Sequence, residues 1–150
     1  MTQENFDAVI EFAIEREKEA VAFYQELQGK TKFHAQTEML KELENMERGH
    51  ITILQNIHKR GFQGITPKQV TDLHISDYIV PGQTDGVLTY QDIVIIAMKR
   101  EEASRNLYAD LAERFAGSDT GALFSRLSAE EAEHKLRFEK IYDDEILKDN

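Results

Sequence analysis

Two halves of the chain carry one acid-and-histidine pattern, displaced by 84 residues. The first half has Glu17, then Glu47-Arg48-Gly49-His50; the second has Glu101, then Glu131-Ala132-Glu133-His134. The register extends beyond the motif, pairing Ala13 with Ala97, Arg16 with Arg100, Tyr24 with Tyr108, Leu27 with Leu111, Leu43 with Leu127 and Ile57 with Ile141. Four glutamates and two histidines in a doubled helical frame are the ligand set of a two-metal carboxylate site.

What surrounds the repeat favours helix. Glycine is sparse, proline occurs only at positions 67 and 81, and Ala, Glu, Leu, Lys and Arg are plentiful. A length of 150 residues suits one domain, taken as 1–150, with enough chain for a real core. The net charge of -10 argues against nucleic acid, whose phosphates need clustered Lys and Arg, and against an anionic membrane surface. The absence of cysteine excludes disulfides, thiol catalysis, iron–sulfur clusters and cysteine-ligated zinc. No apolar run approaches the length of a membrane span, and Met1–Asn5 lacks the basic start of a signal peptide, so the expected compartment is the cytoplasm.

Four long segments show helical period. The first runs from about Gln3 to Gln28 and stops at Gly29, with Phe6, Ile10, Ala13, Glu17, Ala20, Tyr24 and Leu27 on one stripe. The second runs from about Thr31 to Lys59 and ends at Gly61; its stripe is Leu40, Leu43, Glu47, His50, Leu54 and Ile57. The third begins near Thr89, where Thr89 and Asp92 resemble a capping box, and stops near Gly117. Its stripe carries Ile93, Ala97, Glu101, Ser104, Tyr108 and Leu111. The fourth begins at Ser118 or Asp119 and shows Leu123, Leu127, Glu131, His134, Phe138 and Ile141.

Short turns within each half predict two antiparallel hairpins. Glu17 lies roughly 18 Å of helix before its turn and Glu47 roughly 24 Å after it, so the two reach nearly the same height. The second hairpin repeats this, which brings all six side chains into one layer. The stretch 61–88 differs: it holds both prolines and four of the eight glycines. Thr66-Pro67 looks like the start of a short helix. If the second and third helices run parallel, this connector must climb roughly 40 Å, within reach of its length, whereas an antiparallel pair would need only a few residues.

Glu and His at i and i+3 are neighbours on one helical face, with Cβ atoms about 5–6 Å apart. A single such pair on a solvated face means little. Here two pairs occur at the same offset, each preceded by a stripe glutamate 30 residues earlier. Four buried carboxylates would repel one another strongly, and two divalent cations would cancel their charge. Mixed carboxylate and imidazole donors suit iron or manganese and can hold zinc. His34, His58 and His74 lack such partners and are expected to be ordinary surface or core-edge residues. Tyr24 and Tyr108 are expected to pack in the core, with a phenol available as a hydrogen-bond donor to a ligand. Glu130 and Glu133 fall elsewhere on the helical turn and are poorer ligand candidates than Glu131.

The motifs Glu17-x-x-Ala20-x-x-x-Tyr24, Glu47-x-x-His50, Glu101-x-x-Ser104-x-x-x-Tyr108 and Glu131-x-x-His134 resemble the rubrerythrin family of the ferritin-like superfamily, over nearly the whole chain. The resemblance implies an all-α, ferritin-like four-helix bundle: two antiparallel hairpins joined by a long crossover. It implies two irons, bridged by Glu47 and Glu131, with Glu17 and His50 completing one and Glu101 and His134 the other. Two departures stand out. The rubredoxin-like cysteine domain of typical rubrerythrins is missing, so electrons would come from a separate donor protein such as a rubredoxin. Ser104 occupies the place of an additional glutamate one turn after the third-helix ligand. The remaining six-ligand site also resembles the ferroxidase centre of bacterioferritin, without a methionine placed to hold haem.

The expected function is reduction of hydrogen peroxide, or dioxygen, at a di-iron site with external electrons, by a cytoplasmic homodimer. No catalytic residue is assigned beyond Glu17, Glu47, His50, Glu101, Glu131 and His134. The rival readings are a ferroxidase feeding an iron-storage shell, and a helical module in which metal, such as zinc, serves only to hold the bundle together.

Overall fold

The computed structural model describes residues 3–61, Tyr78 and 89–147. Four helices account for nearly all of them: α1 (Gln3–Lys30), α2 (His34–Arg60), α3 (Tyr90–Arg114) and α4 (Asp119–Ile141), followed by a π-helical turn at Tyr142–Leu147. Among the described residues, no helix is long and apolar enough to cross a membrane.

Local chemistry sets the helix ends. Thr89 and Asp92 form a reciprocal capping box at the start of α3: Thr89 N donates to Asp92 Oδ2 at 3.0 Å, and Asp92 N to Thr89 Oγ1 at 3.1 Å. Ser118 caps α4 by accepting from Gly121 N at 3.0 Å. Gly61 closes α2 with φ 62°, its N–H returning to Ile57 O at 3.0 Å. The start of α2 departs from the expected Thr31. Thr31 N bonds back to Leu27 O at 2.9 Å and so finishes α1, while α2 begins at His34, with Phe33 in the cap position and no side-chain cap.

The apolar stripes pack into two clusters. One joins Phe6, Ile10 and Ala13 of α1 to Leu54 and Ile57 of α2, Tyr108 and Leu111 of α3, and Phe124 and Leu127 of α4. The other joins Tyr24 and Leu27 to Leu40 and Leu43, Ile93 and Ala97, and Phe138 and Ile141. Aromatic rings knit both clusters: Phe6 meets Phe115 edge-on at 5.6 Å, and Tyr24 lies 5.2 Å from Phe138.

Cluster membership fixes the topology. The first cluster takes the N-terminal halves of α1 and α4 and the C-terminal halves of α2 and α3; the second takes the opposite halves. Thus α1 runs antiparallel to α2, and α3 to α4, while α2 and α3 run parallel. Three residues link α1 to α2 and four link α3 to α4, the short turns that hairpins require. α2 ends in one cluster and α3 starts beside the other, so the chain between them must traverse the bundle's length. The expected short helix at Thr66-Pro67 lies outside the described residues. α1 also packs against α3, and α2 against α4, which gives a four-helix bundle in which the two hairpins face each other.

Candidate metal centre

Between the two apolar clusters lies a polar layer. α1 supplies Glu17, α2 Glu47 and His50, α3 Glu101, and α4 Glu131 and His134; none is more than 2% exposed. The sequence-predicted six therefore all arrive in one place. Their donor atoms form two overlapping groups, each with its atoms within 4.8 Å of one another: Glu17, Glu47, His50 and Glu131, and Glu47, Glu101, Glu131 and His134. Glu47 and Glu131 belong to both groups. His50 Nδ1 lies 2.8 Å from Glu131 Oε1, and His134 Nδ1 lies 2.8 Å from Glu47 Oε1. The two imidazoles stand nearly parallel, 6.0 Å apart at their centroids.

The donor set fits a pair of cations. Each of the six residues keeps at least one buried nitrogen or oxygen without a hydrogen-bond partner: Glu17 Oε2, both oxygens of Glu47, both nitrogens of His50 and His134, Glu101 Oε2 and Glu131 Oε1. His50 Nδ1 and Glu131 Oε1 approach closely yet make no hydrogen bond with each other. Buried polar atoms left in this condition are costly. Metal coordination would satisfy them together and offset four clustered carboxylates.

The sequence model of the family described as Rubrerythrin matches residues 8–142. The chain belongs to the rubrerythrin family. Its fold is accordingly the ferritin-like four-helix bundle. A solved structure of a hypothetical protein from Pyrococcus furiosus is similar, with 23% identity, a TM-score of 0.68, and coverage of 91% of this chain and 87% of that one. That likeness extends to the fold alone. None of the curated proteins matches the chain.

In this member of the rubrerythrin family, protons compete for the site. Burial pushes the Glu17 carboxyl up to about 8, reinforced by the neighbouring Glu47 charge. Burial also carries Glu101 to about 8, with the Glu17 charge adding to it. Glu47 and Glu131 are raised for the same primary reason. Burial alone would lower His50, but the carboxylates of Glu131 and Glu17 outweigh it and lift the imidazole to about 11. His134 is raised likewise, burial being overcome by Glu47. Without metal, protons do the neutralising.

Around the six stands a partial supporting layer. Tyr108 donates to Glu17 Oε1 at 2.6 Å, which leaves Oε2 for a metal. Its repeat partner Tyr24 packs on Phe138, and its hydroxyl has no hydrogen-bond partner among the described residues. The phenol option thus holds for one tyrosine of the pair. Glu130 is the residue that helical periodicity passed over. It stays outside both metal-binding groups, but its Oε1 lies 3.6 Å from His50 Nε2, the nitrogen facing away from the layer centre. Arg126 Nε in turn donates to Glu130 Oε2 at 3.1 Å. The only available signal was its place next to Glu131, since the contact crosses from α4 to α2. His34 is exposed, His58 pairs at the surface with Asp7 at 3.4 Å, and His74 lies outside the described residues.

Proposed function

We propose that the protein is a di-iron carboxylate oxidoreductase that reduces hydrogen peroxide, or dioxygen, with electrons from an external donor. The observation that carries this reading is the pair of overlapping four-residue groups sharing Glu47 and Glu131 inside a buried layer. Glu17 and His50 would hold one iron, Glu101 and His134 the other, with Glu47 and Glu131 spanning both. Bound there, the irons would supply two electrons at adjacent positions to one oxidant.

The chain's own groups do the rest. The apolar clusters on either side keep bulk water from the layer, which strengthens every charge interaction within it. Tyr108 restrains one oxygen of Glu17 and so fixes the direction of the other. Glu130 places a carboxylate 3.6 Å from His50 Nε2 on the face away from the layer, where a small movement would let it accept the imidazole N–H as outer carboxylates do for metal-bound histidines. In this reading the electron donor is a separate redox protein such as a rubredoxin. The same reading takes the protein as cytoplasmic and homodimeric. A dimer on a sizing column fits it, whereas a large hollow shell would favour iron storage.

Anaerobic loading with ferrous iron, followed by hydrogen peroxide, tests the proposal. A ferric absorbance band that reductant reverses over repeated cycles is expected; no band, or one that reductant never reverses, counts against redox function. His50→Ala combined with His134→Ala should abolish stoichiometric iron binding. Two irons per chain retained in that variant would refute the ligand assignment.

A further inference from the structure

α1 and α3, the two helices that bring only carboxylates to the metal layer, pack against each other. A small cavity opens beside them, its lining including Phe12, Arg16, Ala20, Arg100, Glu101 and Ser104. About 20 Å³ of it is open to the centre of a water-sized molecule. That is room for a guest about the size of one water.

The lining is built symmetrically. Arg16 and Arg100 are repeat partners, each immediately preceding a metal-layer glutamate, and Ala20 and Ser104 are repeat partners one turn further on. The cavity therefore takes matching residues from both hairpins, and a guest within it meets the metal layer at Glu101. Small side chains at positions 20 and 104 leave this space, and Glu101 forms part of its wall.

Its polar groups favour an anion. Glu19 holds both guanidiniums, accepting from Arg16 Nη2 at 2.6 Å and from Arg100 Nη1. Each guanidinium also rests on a ring, Arg16 over Phe12 at 4.9 Å and Arg100 over Phe23 at 4.5 Å. Both arginines are thus fixed in place, yet each keeps a buried Nε–H with no acceptor among the described residues. Two cations share one carboxylate, leaving one positive charge uncompensated once metal takes up the charge of Glu101.

We propose that this cavity is a docking site for a small linear monoanion, of the size of azide or hydroperoxide, held by the Nε–H groups of Arg16 and Arg100 beside the metal pair. The proposal rests on the metal reading given above. It names the chemical class of small molecule that this side of the centre receives, and it assigns Arg16 and Arg100 as binding residues.

Nitrogen-15 NMR of the arginine Nε–H resonances tests it on zinc-loaded protein, which is diamagnetic and redox-inert. Sodium azide is the probe, with sodium chloride at equal ionic strength as the control, and zinc is counted in the same sample. Azide is expected to shift the Arg16 and Arg100 resonances saturably, while chloride does not. Ser104→Leu, which fills the cavity while leaving all six metal-layer residues in the sequence, should abolish the shifts at an unchanged zinc count. Arg100→Lys keeps the charge but loses the Nε–H, and should weaken azide at least tenfold as read on Arg16. No saturable shift, an equal response to chloride, or an undiminished azide response in both variants would overturn the proposal. A zinc count below two per chain would instead fail the metal reading, and the arginine titration would still be scored on its own.

Discussion

His50 and His134 occupy matching positions in the repeat, yet their outer nitrogens meet different surroundings. Behind His50 stands Glu130, anchored in turn by Arg126. The position equivalent to Glu130 in the first half is Met46, although neither His50 Nε2 nor His134 Nε2 makes a hydrogen bond among the described residues. The symmetry of the six residues therefore does not extend to the side chains behind them. Removing an outer carboxylate from a metal-bound histidine typically weakens metal about 10–100-fold. Glu130→Ala should therefore weaken one metal site by about that factor and spare the other, so that a zinc titration by calorimetry becomes clearly biphasic. An isotherm identical to that of the parent protein would show that Glu130 gives His50 no support.

At the level of the helices, the α3–α4 turn is the most tightly constrained joint. A Cβ on Gly121 would meet Phe115 O at 2.1 Å and Phe115 C at 2.7 Å, and both are backbone atoms that cannot swing aside. Gly121→Ala should destabilise the protein by about 1–3 kcal/mol despite alanine's better helix propensity, measurable by urea unfolding. Thr89→Ala removes half of the capping box of α3 and should cost about 1 kcal/mol in the same assay. The two joints differ in how legible they were. The Thr89 and Asp92 pair is local hydrogen-bond chemistry that sequence spacing revealed, and the Ser118 cap falls at the expected start of α4. The close approach at Gly121 is tertiary and leaves no mark in the periodicity. Thr31 misled because a threonine before a helix can serve either neighbour; here its backbone closes α1, and Phe33 begins α2. All six metal-layer residues were legible because each falls on a stripe that is otherwise apolar. Glu130 was not, because only the packing of α4 on α2 gives it a role.

Across the whole molecule, the buried layer couples stability to protons and to metal. Glu17 and Glu101 have an ordinary value of 4.5, which the fold raises to about 8. Their protonated forms favour folding in the metal-free protein, so this contribution is full below pH 4.5 and is lost as pH climbs to about 8. His50, raised from 6.5 to about 11, acts in the same direction: its contribution is full below pH 6.5 and fades at higher pH. The metal-free protein should therefore melt lower at pH 8 than at pH 5, each glutamate contributing about 1 kcal/mol per pH unit within its window. Metal must displace these protons, so the stabilisation that metal confers should grow over the same range. Calorimetric scans of metal-free and metal-loaded protein at several pH values measure both slopes. A metal-free melting temperature that rises from pH 5 to pH 8 would contradict this picture of the layer.

The central claim is that these six side chains enclose two cations. Diffraction from iron-loaded crystals, with data collected on either side of the iron absorption edge, locates those ions without assuming any ligand. Two anomalous peaks are expected, one among Glu17, Glu47, His50 and Glu131 and the other among Glu47, Glu101, Glu131 and His134. Peaks elsewhere, or none between these residues in crystals whose iron content is confirmed, would contradict the account.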